Sequence, residues 1–200
     1  MNNSTRTIFF LALLLITTLA APGSARAVEL GLTPSPVFGL WTNINKALIV
    51  YARARSTNED WLNQLAQMTP EKFSGKDSAT VLEMVKTFAA RLNELDVRRP
   101  DKTTDKLLGS DLQHLLANDQ GRVTPSMVYL HSGQVLINVA EDILRASSVP
   151  VEVSPFFEER NVADKTPSDV FGLIDLGLRR LVKILTLQHT GQLTPITGAR

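Results

Sequence analysis

The chain has 200 residues, of which 44% are hydrophobic and 20% are charged, and its formal net charge is +1. This near-neutral balance, without a concentrated run of lysine and arginine, argues against nucleic-acid binding and against adhesion to an anionic membrane. Cysteine is absent, which excludes disulfides and a lipid-modified N-terminal cysteine, so the fold must depend on burial of a hydrophobic core.

The first 27 residues have the order of a secretory signal peptide. Arg6 precedes an apolar run from Ile8 to Leu19, and the small-residue site Ala25-Arg26-Ala27 follows. The run is roughly a dozen residues long, whereas a membrane span needs about 20. We therefore expect cleavage after Ala27 and a periplasmic or secreted mature chain, residues 28–200, that folds as a single helical domain with no stable membrane span.

The first predicted helix begins at Thr33. Threonine is a favourable N-cap, and the proline that follows it loses no intrahelical hydrogen bond. Apolar residues then recur at helical spacing, which predicts one buried face; they are Val37, Phe38, Trp41, Ile44, Leu48 and Tyr51. The segment from Asn58 to Gln67 has its own capping residues and apolar positions, so it predicts a short return helix.

A second helix is predicted from a weaker start at Asp77. Its apolar positions have the same spacing; they are Val81, Leu82, Val85, Phe88, Leu92 and Leu95. The connector after it contains a further short apolar segment, from Ser110 to Ala117, which we interpret as a second short return helix.

The third and fourth helices are predicted to begin at Thr124 and Thr166. The third has an apolar face of Val128, Tyr129, Val135, Leu136, Val139 and Ile143, and the fourth has one of Val170, Phe171, Ile174, Leu178, Leu181 and Leu185. The proline-containing connector from Val149 to Lys165 is predicted to be an ordered loop packed on the helices. The tail after Gly191 is predicted to be frayed.

The predicted starts share one motif, T-P-S-x-V-[FY], at residues 33–38, 124–129 and 166–171, with a faint copy at 77–82. The starts are 44, 47 and 42 residues apart, a near-constant period typical of repeats. We therefore predict an all-α fold of four long helices from a repeat of about 44 residues with short connecting helices, either four-helix-bundle-like or a short helical solenoid. The units are 33–76, 77–123, 124–165 and 166–191. Connectors of this length leave the order and direction of the helices open.

No catalytic residue, cofactor site or metal ligand is predicted. The three histidines, His114, His131 and His189, have no metal-ligand spacing, and no nucleophile or phosphate-binding motif occurs. Adjacent carboxylates such as Glu141-Asp142 point in different directions on a helix, so we interpret them as solvated faces. The repeated threonines could together bind an anion, but helix capping alone explains them.

Four glycines lie inside the predicted helices, where each lowers helix stability by about 1 kcal/mol. They indicate either close approach of two helices, which is the favoured interpretation, or room for a ligand. They are Gly39, Gly133, Gly172 and Gly177.

The leading functional hypothesis is an exported, non-enzymatic helical repeat module that binds a protein or envelope partner. The alternative is a bundle that binds a small ligand in a cavity between helices, and the third is a hydrolytic or metal-dependent enzyme. Candidate ligand or partner contacts are Trp41, Tyr51, Tyr129, Phe156 and Phe157.

Overall fold

A computed structural model of the protein describes residues 31–95 and 122–194. In these two stretches the chain forms five α-helices, one 3-10 turn and no strand, so the all-helical prediction is confirmed for them. The helices are α1 (Pro34–Arg55), α2 (Glu59–Gln67), α3 (Ser78–Leu92), α4 (Pro125–Ala146) and α5 (Pro167–His189), and the 3-10 turn spans Ser154–Phe156. The predicted signal peptide at 1–27 and the predicted short helix at 110–117 lie outside the described residues.

Each of the four predicted starts is the N-cap of a helix. The hydroxyl oxygens of Thr124 and Thr166 accept a hydrogen bond from the backbone N–H three residues later. Asp77 does the same through its carboxylate, which accepts from the N–H of Thr80 at 2.8 Å. Thr33 has the extended backbone of a cap but its hydroxyl makes no capping bond, so the capping prediction is wrong for that side chain.

Carboxylates strengthen the starts of α3 and α5. Asp169 forms a capping box with Thr166, because its Oδ2 accepts both the backbone N–H and the hydroxyl of that threonine at 2.8 Å. These hydrogen bonds, the backbone one first, lower the pKa of Asp169. The pKa of Asp77 is lowered by the hydroxyl of Thr80 first and then by its backbone N–H. Both charges lie at the positive end of a helix dipole.

The first turns of α1, α3, α4 and α5 meet at one end of the molecule. The first and fourth residues of each helix together line a cavity of about 10 Å³, which is about the space of one water molecule. We call it the axial cavity, and its lining is Pro34, Val37, Ser78, Val81, Pro125, Val128, Pro167 and Val170. Because the four N-termini share this cavity, the four helices run in the same direction.

These helices enclose one hydrophobic core, in which α1 and α3 each pack against both α4 and α5. Of the apolar positions predicted from periodicity, only Phe38, Tyr129 and Leu178 are not fully buried, and these three are half-buried. At the centre, Trp41 and Phe88 meet edge to face with ring centroids 5.0 Å apart. The predicted helical faces are therefore the faces that form the core.

A helix interior glycine lets α5 approach these central rings. A Cβ on Gly177 would lie 3.3 Å from the ring of Phe88 and 3.4 Å from that of Trp41. The close-approach interpretation of this glycine therefore agrees with the structure.

Parallel helices require each connector to run back along the molecule. In the first connector α2 provides this return, capped by Asn58, whose side chain accepts the N–H of Trp61. The other end of α2 is held by Arg180 of α5. The buried guanidinium of Arg180 donates to the carbonyls of Leu65, Ala66 and Met68, and to the side-chain oxygen of Asn45.

The start of α1 also holds the connector that leads to α5. Ser35 Oγ accepts the backbone N–H of Lys165 at 3.1 Å, and the Lys165 ammonium lies 4.8 Å from the ring centroid of Phe38. Gly39 lies under the same connector, since a Cβ there would be 3.2 Å from Cβ of Arg160. Lys165 immediately precedes the N-cap of α5.

The start of α5 holds the first connector with residues at three equivalent positions, the motif serine, the motif aromatic residue and the glycine that follows it. Ser168 Oγ accepts the backbone N–H of Lys76 at 3.1 Å, and the Lys76 ammonium lies 4.6 Å from the ring centroid of Phe171. A Cβ on Gly172 would be 2.6 Å from the carbonyl oxygen of Glu71. At these two positions the motif therefore both starts its own helix and docks the segment that leads to another long helix, α5 at the start of α1 and α3 at the start of α5.

The prediction of a frayed tail is wrong for residues 192–194. Leu193 is buried in the core, and the N–H of Thr194 donates to the carbonyl of Arg55 at 2.8 Å. Arg55 Nε donates in turn to the carbonyl of Thr194 at 2.7 Å. The reason is that the last carbonyls of α1 lack partners within their own helix, and this tail supplies one.

The prediction that Glu141-Asp142 form a solvated face is wrong for Asp142. Its side chain is fully buried, with Oδ1 3.8 Å from Nη1 of Arg145, while Glu141 is partly exposed and pairs with the same guanidinium at 3.1 Å. Consecutive helical residues diverge by about 100°, so one member of an adjacent pair can face the interior.

Candidate binding groove between α1 and α4

A groove of about 310 Å³ runs between α1 and α4, beside the connector that follows α4. We call it the α1–α4 groove. Helix α1 contributes Pro36, Leu40 and Asn43, helix α4 contributes Tyr129, Gly133, Leu136 and Ile137, and the connector contributes residues 156–160. Three of the five predicted contact residues, Tyr129, Phe156 and Phe157, are therefore brought together here.

A buried amide fixes the connector that forms one wall of the groove. Asn43 Nδ2 donates to the carbonyl of Glu158 at 2.9 Å, and Asn43 Oδ1 accepts a hydrogen bond from Nε of Arg160. The predicted ordered loop over Val149–Lys165 is thus held to α1 by side-chain hydrogen bonds, and the groove has a defined wall.

The adjacent pair Phe156-Phe157 divides between the core and the surface. Phe156 ends the 3-10 turn and is 8% exposed, whereas Phe157 is 52% exposed. The sequence predicts both residues as ligand or partner contacts. Phe156 therefore packs mainly into the core, whereas Phe157 is exposed at the groove.

One face of α4 presents an apolar surface to the groove. Tyr129, Gly133 and Ile137 are spaced by four residues and so lie on one side of the helix. Ile137 is 40% exposed, and Leu144, seven residues further on, is 53% exposed and extends the same side. A Cβ on Gly133 would meet nothing within 4 Å, so this glycine leaves open space where the other interior glycines make close contacts.

The charged groups at the groove come from the connector. The side chains of Glu158 and Glu159 are exposed, while Arg160 is half-buried and engaged by Asn43. The groove therefore combines an apolar floor and an aromatic ring with two free carboxylates at its rim.

The other two predicted contact residues, Trp41 and Tyr51, lie in the core. The Trp41 indole N–H donates to Ser132 Oγ at 2.8 Å, and the Tyr51 hydroxyl accepts from Nη1 of Arg55 at 2.9 Å. Both side chains are almost completely buried. They fill the interior of the bundle, in which the alternative hypothesis predicted a ligand cavity. The axial cavity at the helix starts is only about 10 Å³.

The histidines are separated from one another in the described part of the chain. His131 on α4 is half-buried, and its pKa is lowered by burial first and by the nearby Lys86 second. His189 is exposed at the end of α5, and His114 lies outside the described residues. Within residues 31–95 and 122–194, no group of three or more histidine and acidic side chains could hold a metal ion.

Sequence reasoning did not identify several residues that shape the groove. Asn43 could not be identified, because a polar residue outside the apolar face of a predicted helix looks like an ordinary surface residue. Gly133 was noted, and its openness distinguishes it from the three other interior glycines only once the packing is known. Ile137 lies outside the predicted buried face, which is itself the signal that could have found it.

No helix in the described ranges is both long enough and apolar enough to cross a membrane. No protein-family model matches the chain, and neither does any curated protein or solved structure. The α1–α4 groove is therefore the feature of the described residues that bears on function.

Proposed function

We propose that this protein is an exported, non-enzymatic helical module that binds a protein partner at the cell envelope through the α1–α4 groove. One observation carries the proposal. Among the described residues, the exposed large apolar side chains are concentrated on α4 and its following connector, at Ile137, Leu144, Val149 and Phe157, and the one elsewhere is Val182 on α5. Exposed apolar side chains such as Ile137 and Phe157 that line a groove are typical of a protein-interaction site.

The composition of the groove supports binding rather than chemistry. Its lining contains no serine, threonine, cysteine, histidine or lysine, so it lacks the aliphatic hydroxyl, thiol and imidazole groups of the common nucleophile–base pairs. Its acid–base groups are Tyr129, Glu158 and Glu159, and both carboxylates are exposed to solvent. Of its polar groups, Asn43 and Arg160 are engaged with each other. An aromatic and aliphatic floor with a polar rim is the usual anatomy of an interface.

We also infer that the molecule is a four-unit bundle made from the repeat of about 44 residues, units 33–76, 77–123, 124–165 and 166–191. The equivalent roles of Ser35 and Ser168, and of Phe38 and Phe171, support this inference. The contacts of α1 and α3 with both other long helices favour the bundle over the solenoid. Export rests on the predicted signal peptide at 1–27.

A second candidate function is small-ligand binding in the same groove. Its volume of about 310 Å³ lies at the lower end of the range for small-molecule sites, about 300 to 1,000 Å³. The open space over Gly133 favours this candidate, since a ligand group could fill it.

Native mass spectrometry of the full chain purified from its export compartment tests the proposal. We expect a stoichiometric protein partner on the wild type, and loss of that partner from a variant carrying Phe157→Ser and Ile137→Ser. Val182→Ser is the matched control, because Val182 is 46% exposed but lies on α5 away from the groove. A retained small molecule would instead favour the second candidate, and a partner that survives the double substitution would contradict the proposed site.

A further inference from the structure

The way the molecule docks its own connectors indicates what the α1–α4 groove is built to receive. At the starts of α1 and α5, a non-helical connector packs on the helix and places a lysine ammonium 4.8 Å and 4.6 Å from an aromatic ring. The rings belong to Phe38 and Phe171, at the same motif position. Such cation–π contacts add to the hydrogen bond that each docked backbone makes with the motif serine.

Helix α4 has the same motif but holds no such segment among the described residues. Its serine, Ser126, is buried and its hydroxyl has no hydrogen-bond partner, whereas the equivalent Ser35 and Ser168 each accept a backbone N–H. Its aromatic residue, Tyr129, is half-buried and lines the α1–α4 groove. In the third copy the aromatic position therefore opens on the groove, whereas the serine is already covered.

The groove differs from the two filled positions in ways that suit an incoming chain. A Cβ on Gly133, one turn beyond Tyr129, would meet nothing within 4 Å. The exposed carboxylates of Glu158 and Glu159 lie on the rim of the groove. A cation over Tyr129 would thus meet both the face of the ring and a negative local charge, which attract it by separate mechanisms.

We propose that the α1–α4 groove binds a non-helical segment of a partner protein and places a lysine or arginine of that segment over the Tyr129 ring, with the flanking apolar residues on Ile137 and Phe157. This inference rests on the proposed function and names the chemistry of the partner. Residues 28–32 of this chain, which precede the first cap, include Glu29 and no basic residue. Their charge does not complement Glu158 and Glu159, so this segment is not the proposed occupant.

A peptide-selection experiment tests the inference. A displayed library of random nine-residue peptides is selected on the full chain purified from its export compartment, and on the variant Gly133→Arg. That variant adds bulk and positive charge in open space, so it should fold and block the groove. Ala90→Arg, on the exposed side of α3, is the matched control.

We expect the wild type and the control to enrich peptides with a central lysine or arginine between apolar residues, and Gly133→Arg not to enrich them. In fluorescence anisotropy, replacing that lysine with glutamine should weaken binding roughly 3- to 30-fold. Tyr129→Leu should remove most of that difference, and Glu158→Gln with Glu159→Gln should lower it and its dependence on salt.

The outcomes separate this inference from the proposed function. Enriched neutral peptides that Gly133→Arg blocks would overturn the requirement for a basic residue and leave groove binding intact. Peptides that are enriched equally on the wild type and on Gly133→Arg would show that the groove is not the peptide-binding site. A failure to enrich any peptide would contradict the proposed peptide site as well. A synthetic peptide of residues 28–32 that binds as tightly as the lysine peptides would assign the groove to the chain's own N-terminal segment.

Discussion

The neighbours Arg179 and Arg180 show how one residue step changes the role of a side chain. Arg179 is partly exposed and pairs with Asp175 at 2.7 Å. Arg180 is buried, and its guanidinium satisfies the last carbonyls of α2, which have no partners within that short helix. Burial lowers the pKa of Arg180, with a smaller effect from Arg179. Arg180 is thus the residue that attaches the return helix to the core.

Substitution of Arg180 should be far more costly than substitution of its neighbour. Arg180→Ala leaves several buried carbonyls unpaired, and we expect it to lower the free energy of unfolding by about 3 kcal/mol. Arg180→Lys should recover little, because an ammonium cannot reach the same set of acceptors. Arg179→Ala, the matched control, should cost less than about 1 kcal/mol, as expected for a surface ion pair. Urea unfolding of the three variants measures this, and equal losses at 179 and 180 would refute the assigned role.

A second comparison separates core burial from helix capping in α5. Phe171 is buried against Phe73, with ring centroids 4.8 Å apart, so Phe171→Ala should cost about 3 to 5 kcal/mol. Thr166→Ala removes one capping side chain and should cost only about 1 kcal/mol. Thermal and urea unfolding give both values. Small and equal losses would mean that the motif is aligned wrongly with the helix.

At the scale of the element, sequence periodicity predicted most of the helices correctly. The starts at 33, 77, 124 and 166 are N-caps, and the short helix from Asn58 to Gln67 is present. These features are local, since a cap and an apolar stripe act within one helix. The second role of the motif, docking of a connector through Ser35 and Ser168, could not be predicted because it depends on contacts with residues far away in the sequence.

Replacing two of the helix glycines with alanine should change the free energy of unfolding in opposite directions. A Cβ on Gly172 would lie 2.6 Å from the backbone oxygen of Glu71, so Gly172→Ala forces a backbone shift that costs about 1 to 3 kcal/mol. Gly133→Ala meets open space and should stabilise the protein by about 1 kcal/mol through helix propensity. Shifts of the unfolding midpoint in urea measure both. Destabilisation by Gly133→Ala would contradict the open groove.

At the scale of the whole molecule, the candidate site was only partly predictable. The aromatic residues Tyr129, Phe156 and Phe157 were identified from the sequence and lie together at the groove, whereas Trp41 and Tyr51 lie in the core. An aromatic residue in the apolar face of a helix has the same sequence pattern whether it packs against a neighbouring helix or lines an open groove. Which of these occurs depends on how the helices are arranged, and the long connectors left that open.

The arrangement itself explains those connectors. Helices that begin at one end require the chain to return along the molecule before each new start, and α2 and the 3-10 turn lie on such returns. The returns also create the surfaces on which the functional proposals rest, because the connector after α4 forms a wall of the α1–α4 groove. The common direction of α1, α3, α4 and α5 is therefore the central claim.

Distances between spin labels test that claim most directly, since the chain has no cysteine of its own. One pair of labels is placed at Ala79 and Asp169, near the starts of α3 and α5, and a second pair at Ala79 and Thr186, near the start of α3 and the end of α5. All three positions are exposed. Residues 169 and 186 are separated by roughly 25 Å along the helix axis at about 1.5 Å per residue. Parallel helices predict a short distance for the first pair and a distance of roughly 25 Å or more for the second, and the reverse order would contradict the account.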